Sequence, residues 1–247
     1  MHIVAPESPE EATAHIFEER IRAVKGYLNT QLRYNNIVLP RPIFVELLGP
    51  PSSGKTTIIK ELYKSLKRNG LKIKMPQEGA EVIPHTERDT PVYNIRTGLY
   101  ALQIFLNLRG GHEYDVVFFD RGIFDPYTWM IRWYEDGKLS EEDMRRWQKS
   151  FVDPLWAHDM DAAYVIVCDP AIAVEREYKK SPDKRLGATT NPEFMERLIR
   201  YNNRMLEELS GTYPQLRLFD TTHVPEEEMA RIVAEDLFKS LTAKIKI

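Results

Sequence analysis

The chain has 247 residues, with 34 Lys and Arg against 37 Asp and Glu, which leaves a formal net charge of −3 at pH 7. Apolar residues make up 43% of the sequence, which is enough for a sizeable core and excludes a disordered chain or a fibre. This charge balance gives no reason to expect a protein that coats nucleic acid by charge alone. The single cysteine, Cys168, excludes an internal disulfide.

The first predicted element is an amphipathic helix over residues 8–34. Ser8 is its predicted N-cap, and Pro9 occupies the first helical position, where its missing N–H is tolerated. Apolar residues then recur at helical spacing, at Ile16, Phe17, Ile21, Val24, Leu28 and Leu32. We therefore interpret residues 1–42 as an N-terminal helical extension that either packs on the main domain or presents a surface to a second copy or a partner.

From residue 43 onward, strand patterns alternate with helix patterns. Five strands are predicted, at residues 43–48, 71–75, 115–120, 162–168 and 216–219. The accompanying helices are predicted at residues 57–69, 94–109, 126–135, 140–156, 173–178, 192–209 and 225–241. This alternation is typical of an α/β domain in which helices cover both faces of a mostly parallel sheet. We expect one such domain over residues 43–247.

Residues 49–56 read Gly-Pro-Pro-Ser-Ser-Gly-Lys-Thr and match the pattern G-x-x-x-x-G-K-[ST] at every fixed position. A predicted strand precedes them and a predicted helix follows, as this motif requires. Successive main-chain N–H groups then face one concavity at the positive end of a helix, where phosphate binds. The predicted nucleotide-binding residues of this segment are Gly49, Pro50, Pro51, Ser52, Ser53, Gly54, Lys55, Thr56 and Thr57.

This interpretation predicts ATP and Mg²⁺ as cofactors. Lys55 would reach the β- and γ-phosphates, and the Thr56 hydroxyl would bind the metal. Asp120 ends the third apolar strand, where a Walker-B-type aspartate binds magnesium. Arg121 follows, and its planar guanidinium suits the clamping of an acceptor or of the transferring phosphoryl group.

The segment Phe118–Tyr127 carries a family resemblance. It reads Phe-Phe-Asp-Arg-Gly-Ile-Phe-Asp-Pro-Tyr and resembles the Asp-Arg segment of thymidylate-kinase-like P-loop kinases. It resembles still more the Phe-Asp-Arg-Gly-x-x-Asp segment of ribosylnicotinamide-kinase-like P-loop domains. Residues 75–81 are similar to the Pro-Glu-Ala-Ala-Arg stretch of the latter group, with Glu81 where Arg is frequent. The resemblance implies a three-layer P-loop NTPase fold with a five-stranded parallel sheet of order 2-3-1-4-5.

The resemblance also implies roles for residues outside the phosphate-binding segment. Glu78 and Asp125 are rival candidates to receive or orient the acceptor hydroxyl. Arg176 and Arg185 lie in a basic segment, about 176–190, that resembles a lid closing over ATP.

In the kinases that the sequence resembles, the helices between the second and third strands line the acceptor pocket, and the resemblance implies the same position here. Arg88 and Arg96, near Tyr93 and Tyr100, could hold an acceptor phosphate or stack on a base. Two tryptophans on the next helix, at positions 129 and 133, are predicted to belong to the core.

The sequence therefore predicts a kinase that transfers a phosphoryl group from ATP to a small acceptor, a nucleoside or a nucleoside monophosphate. Two alternatives stay open, a nucleotide-dependent regulatory switch with slow hydrolysis and a kinase of another hydroxyl compound. A net charge of −3 disfavours a polynucleotide substrate. The lack of an apolar run of roughly 20 residues favours a cytoplasmic protein without a membrane partner, and a homodimer is compatible with the pattern.

Overall fold

The computed structural model describes residues 15–26, 42–180 and 191–245. Its five strands are β1 (Ile43–Leu48), β2 (Ile73–Lys74), β3 (Val116–Asp120), β4 (Ala162–Val167) and β5 (Leu216–Asp220). All neighbouring pairs are parallel, and the order β2-β3-β1-β4-β5 confirms the predicted one. The second strand is shorter than predicted, since only Ile73 and Lys74 pair with β3 at this edge of the sheet.

The described helices are α1 (15–26), α2 (Lys55–Arg68), α3 (Gly79–Val82), α4 (Pro91–Leu108), α5 (Asp125–Glu135), α6 (Glu141–Phe151), α7 (Pro154–Ala157), α8 (Pro170–Lys180), α9 (Pro192–Leu209) and α10 (Glu226–Ile245), with a 3₁₀ turn at His85–Glu87. One helix predicted over residues 140–156 is wrong, because α6 and α7 are separate. Asp153 caps α7 by accepting a hydrogen bond from the Leu155 N–H at 2.9 Å, and Pro154 cannot continue α6. Within the described chain, no helix combines the length and apolarity needed to cross a membrane.

Two apolar cores lie on the two faces of the sheet and produce three layers. On one face, Phe44 and Phe119 pack with residues of α4, α5, α6 and α9. On the other face, Val45 and Phe118 pack with residues of α1, α2 and α10. Because side chains alternate along a strand, each central strand contributes to both cores, and burial of both faces holds the strands in a fixed register.

Helix α1 belongs to the second of these cores. Ile21 and Val24 are each only 1% exposed, and the rings of Phe17 and Phe238 meet edge to face with centroids 5.4 Å apart. Ile16 points outward and is 49% exposed. The remainder of the predicted helix, including positions 28 and 32, lies outside the described residues.

A buried glutamate connects the central strand to the turn after β3. Glu46 is fully buried, and its carboxylate accepts hydrogen bonds from the N–H groups of Gly122 at 2.9 Å, Phe124 at 3.1 Å and Asp125 at 3.0 Å. Burial raises the pKa of Glu46 to about 7, although the three N–H groups act in the opposite direction. Without this carboxylate, three main-chain donors would lose their partner inside the protein.

Replacement of Ile21 by alanine is expected to lower the free energy of unfolding by about 2–4 kcal/mol, since it leaves a cavity between α1 and the sheet. Ile16→Ala, one turn away on the exposed side, is the matched control and should change stability by less than about 0.5 kcal/mol. Urea unfolding at equilibrium measures both. Equal, small effects would show that α1 does not contribute to the core.

Glu46 should make stability depend on pH in a defined direction. Its pKa is about 7 in the folded state against an ordinary value of 4.5, so between these pH values the folded state binds more protons than the unfolded chain. The stabilising contribution of the group is complete below pH 4.5 and falls by about 3 kcal/mol as pH rises through 7. Glu46→Gln cannot titrate and should lack this decline in urea unfolding measured at pH 5 and pH 8. Parallel pH profiles for the two proteins would contradict the assignment.

Candidate active site

Residues 49–56 form a loop between β1 and α2, here called the phosphate loop. Gly49 has a φ of +125°, and a Cβ atom there would lie 2.1 Å from the carbonyl oxygen of Ile166, so only glycine fits. Ser52 also adopts a left-handed conformation, with a φ of +56°. Helix α2 begins directly after Gly54, so its first N–H groups are free of helical partners and suit an anion.

Hydrogen bonds inside the phosphate loop fix the position of Lys55. Its ammonium donates to the Pro50 carbonyl at 2.6 Å, and the Ser53 hydroxyl donates to the same oxygen at 3.0 Å. The Thr221 hydroxyl, beyond β5, donates to the Ser53 carbonyl at 2.8 Å. Burial, with Arg121 nearby, lowers the pKa of Lys55 to about 8. A poorly solvated cation thus lies inside the phosphate loop, held by a main-chain carbonyl oxygen.

Thr56 and Asp120 offer hard oxygen atoms beside the phosphate loop. The Thr56 hydroxyl donates to Asp120 Oδ2 at 2.6 Å, while Oδ1 of Asp120 is buried without a hydrogen-bond partner. Such oxygens fit a magnesium ion. The described residues contain no cluster of three or more His, Cys, Asp or Glu side chains that could hold a metal. A divalent ion at this position would therefore take its other ligands from a nucleotide and from water.

Arg121 directly follows β3 and lies between two carboxylates, that of Glu78 at the start of α3 and that of Asp125 at the start of α5. It has a φ of +61°, and its guanidinium forms ion pairs with Glu78 and, at 3.4 Å, with Asp125. The guanidinium also donates to the Gly49 carbonyl at 3.4 Å, which joins this group to the phosphate loop. The indole N–H of Trp129 donates to the second oxygen of Asp125 at 2.8 Å.

The electrostatics of this group follow from its burial. Burial raises the pKa of Asp125 to about 6, and Glu78 acts in the same direction, while Arg121 and Lys55 oppose it. Burial by itself would lower the pKa of Arg121, but the carboxylates of Glu78, Asp125 and Asp120 raise it above its ordinary value. Arg121 therefore stays charged, and the pKa of Asp125 lies above that of an ordinary aspartate.

These side chains surround a cavity of about 550 Å³ at the carboxyl ends of β1, β2 and β3. A cleft at this edge of a parallel sheet is the usual binding position in α/β proteins, and the volume suits a small organic ligand. The predicted site residues that line it are Pro51, Ser52, Lys55, Thr56, Glu78, Arg88, Arg121 and Asp125.

Two other predicted cations of the described chain, Arg96 and Arg176, are not among the residues that line this cavity. Arg96 pairs with Glu87 at 3.6 Å. Arg176 donates to the hydroxyl and the carbonyl of Thr221, at 3.0 and 2.8 Å. Arg185 and most of the predicted lid lie outside the described residues. The roles of Arg176 and Arg185 toward ATP stay predictions.

Several lining residues were missed by sequence reasoning. Asn94, Thr97 and Phe194 also face the cavity, and Trp129, predicted as core, lines it as well. Trp133 is fully buried, which confirms its prediction as core, and its indole N–H donates to the amide oxygen of Asn94 at 2.9 Å. A signal for Asn94 was available, because a polar residue on the buried face of a helix requires a partner.

A family model described as "AAA domain" matches residues 44–215. None of the curated proteins matches the chain. Among solved structures, thymidylate kinase from Candida albicans superimposes with a TM-score of 0.57 at 13% sequence identity, over 83% of this chain and 93% of that chain.

A second solved structure, deoxyadenosine kinase from M. mycoides with bound dATP, superimposes with a TM-score of 0.53 at 17% identity. The match covers 79% of this chain and 99% of that chain. The two kinases thus share the order of strands and helices found here across nearly their whole lengths. The family match spans most of the chain, so the protein belongs to this AAA domain family and carries a P-loop domain of the nucleoside- and nucleotide-kinase-like fold.

Proposed function

We propose that the protein transfers the γ-phosphoryl group of ATP to a hydroxyl group of a small acceptor, a nucleoside or a nucleoside monophosphate. One observation carries this proposal. Lys55 of the phosphate loop and the Arg121 group, with its carboxylates Glu78 and Asp125, line the same cavity. A donor phosphate and an acceptor hydroxyl can therefore meet in one place, which hydrolysis alone does not require.

The proposed step breaks the bond between the γ-phosphorus and its bridging oxygen to the β-phosphate. The acceptor oxygen forms the new bond to phosphorus, its proton passes to a carboxylate, and ADP leaves. Little covalent chemistry falls to the protein, so positioning and neutralisation of charge supply most of the rate. Magnesium, held by Thr56 and Asp120, would neutralise part of the phosphate charge.

Glu78 is better placed than Asp125 to take the proton. Both oxygens of Asp125 are engaged, one with Arg121 and the other with the indole of Trp129. One oxygen of Glu78 pairs with Arg121, and its other oxygen has no hydrogen-bond donor among the described residues. That oxygen can accept a hydrogen bond from an acceptor hydroxyl.

The comparisons support the class of reaction and leave the acceptor open. The superimposed structures are named thymidylate kinase and deoxyadenosine kinase, so one name refers to a nucleotide and the other to a nucleoside. At identities of 13% and 17%, the likeness concerns the fold. Support for phosphoryl transfer in this chain therefore comes from its own cavity.

Lys55→Ala is expected to lower kcat/KM for acceptor-dependent ADP formation by about 30-fold or more, equivalent to about 2 kcal/mol of transition-state stabilisation. The missing ammonium would leave the transferring phosphoryl group without its nearest cation. Lys60→Ala, on the exposed side of α2, is the matched control and should retain full activity. Coupled ADP detection with ATP, magnesium and a panel of nucleosides and monophosphates measures both.

Two outcomes would reject the proposal. In one, Lys55→Ala turns over as fast as the unmodified protein. In the other, ADP is released at the same slow rate with and without every acceptor, which would favour a nucleotide-dependent switch.

The two carboxylates should respond differently to amide substitution. Glu78→Gln is expected to lower kcat by about 100-fold or more while the KM for ATP stays within about twofold, because it removes the proton acceptor. Asp125→Asn keeps an oxygen that can face Arg121 and should cost about tenfold. Steady-state kinetics with saturating acceptor measures both variants. The reverse ranking would assign the proton to Asp125.

A further inference from the structure

We infer that the acceptor is an unphosphorylated nucleoside rather than a nucleoside monophosphate, and that the hydroxyl of Tyr93 binds its base. This inference rests on the proposed kinase function and narrows its substrate class. Three features of the cavity support it. Two carboxylates lie near the phosphate loop, the other described arginines of the lining are either paired or solvated, and the Tyr93 hydroxyl is buried without a partner among the described residues.

The acceptor end of the cavity carries two carboxylates around a single guanidinium. Arg121 is paired with both Glu78 and Asp125, and the side chains of these acids are only 20% and 11% exposed. A phosphate monoester carries about −1.5 to −2 charges at neutral pH. Placed beside two poorly solvated carboxylates, it would meet strong like-charge repulsion, whereas a neutral hydroxyl would find acceptors for its proton.

The other cations that line the cavity are poorly suited to an acceptor phosphate. Arg132 pairs with Asp136 at 3.3 Å, and its guanidinium carbon lies 4.1 Å from the ring centroid of Trp133 and 4.9 Å from that of Phe194. Arg88 is exposed, and its neighbour Asp89 also lines the cavity. A single hydrated arginine next to an acid offers little binding energy to a dianion.

Lys55 belongs to the donor side, since it lies within the phosphate loop and donates to its Pro50 carbonyl. Among the described residues that line the cavity, the cations that remain for a second phosphate are therefore the engaged Arg132 and the solvated Arg88. A monophosphate acceptor needs more compensation than this, because its charge must be desolvated in the cavity.

The far wall of the cavity has the chemistry of a site for a planar, polar ring. Tyr93 is 5% exposed, and its hydroxyl is buried with no hydrogen-bond partner among the described residues. The rings of Trp129 and Phe194, with centroids 6.4 Å apart, line the same cavity, and the Arg132 guanidinium carbon lies 5.4 Å from the centroid of the first and 4.9 Å from that of the second. A base could pack on these rings and satisfy the Tyr93 hydroxyl with an edge nitrogen or oxygen.

Matched pairs of acceptors test the inference directly. Adenosine and AMP, guanosine and GMP, cytidine and CMP, and thymidine and TMP are each supplied with ATP and magnesium, and ADP and the phosphorylated product are quantified. The best nucleoside is expected to have a kcat/KM at least about tenfold above that of its own monophosphate. Preference for a monophosphate would overturn the inference and leave the proposed kinase function intact.

Substitution of the tyrosine tests its role. Tyr93→Phe should raise the KM for the nucleoside by about tenfold, with kcat and the KM for ATP within about twofold. Tyr134→Phe is the control and should leave all three values unchanged, because Tyr134 is 37% exposed on α5 and does not line the cavity. If Tyr93→Phe leaves the KM for the nucleoside unchanged, the role assigned to this hydroxyl is wrong.

Calorimetric titration separates the failure of this inference from the failure of the proposed function. Nucleosides and monophosphates are titrated into the protein in the presence of ADP and magnesium, so binding is measured without turnover. Nucleoside binding without phosphorylation would reject the kinase function and retain the ligand class. Binding of monophosphates alone, or of neither class, would overturn the inference.

Discussion

The hydrogen bonds between the Glu46 carboxylate and the turn after β3 set the geometry on which the candidate site depends. The turn offers the N–H groups of Gly122, Phe124 and Asp125 to a carboxylate that belongs to the central strand. A Cβ atom at Gly122 would lie 2.6 Å from a Glu46 oxygen, so the turn can approach this closely only as glycine. Arg121 is thereby held in its left-handed conformation, with its side chain between the two carboxylates of the cavity.

The same arrangement explains how several charged groups can lie close together at the carboxyl ends of otherwise apolar strands. Arg121 compensates Glu78 and Asp125, while the Pro50 carbonyl compensates Lys55. These four charged groups therefore have fixed partners before any ligand arrives. Groups oriented in this way require little reorganisation during a reaction, and this is the main source of electrostatic catalysis. The orphaned oxygen of Asp120 is the exception, and it lies where a metal would supply the missing charge.

The two halves of the site differed in how far the sequence could predict them. The phosphate loop was predictable because its eight consecutive residues determine their own backbone and the start of α2. The helical wall of the cavity was not predictable in this way, because α4, α5 and α9 contribute to it from positions far apart in the chain. Glu46 was missed for another reason. It reads as one acid within the apolar strand 43–48, and only the structure shows that its partners are the N–H groups of a turn about 80 residues later.

This difference also explains why membership of the family does not determine the acceptor. The phosphate loop, Glu46 and Gly122 are constrained by backbone conformation and close contact, so they tolerate little change without loss of the fold. Tyr93, Trp129 and Phe194 project from three helices into a space that the sheet does not occupy. Such positions can be exchanged while the strands and the donor site keep their geometry. A likeness at 13% or 17% identity shows the fold alone, so the proposed donor and acceptor sides have to be argued from the residues of this particular cavity.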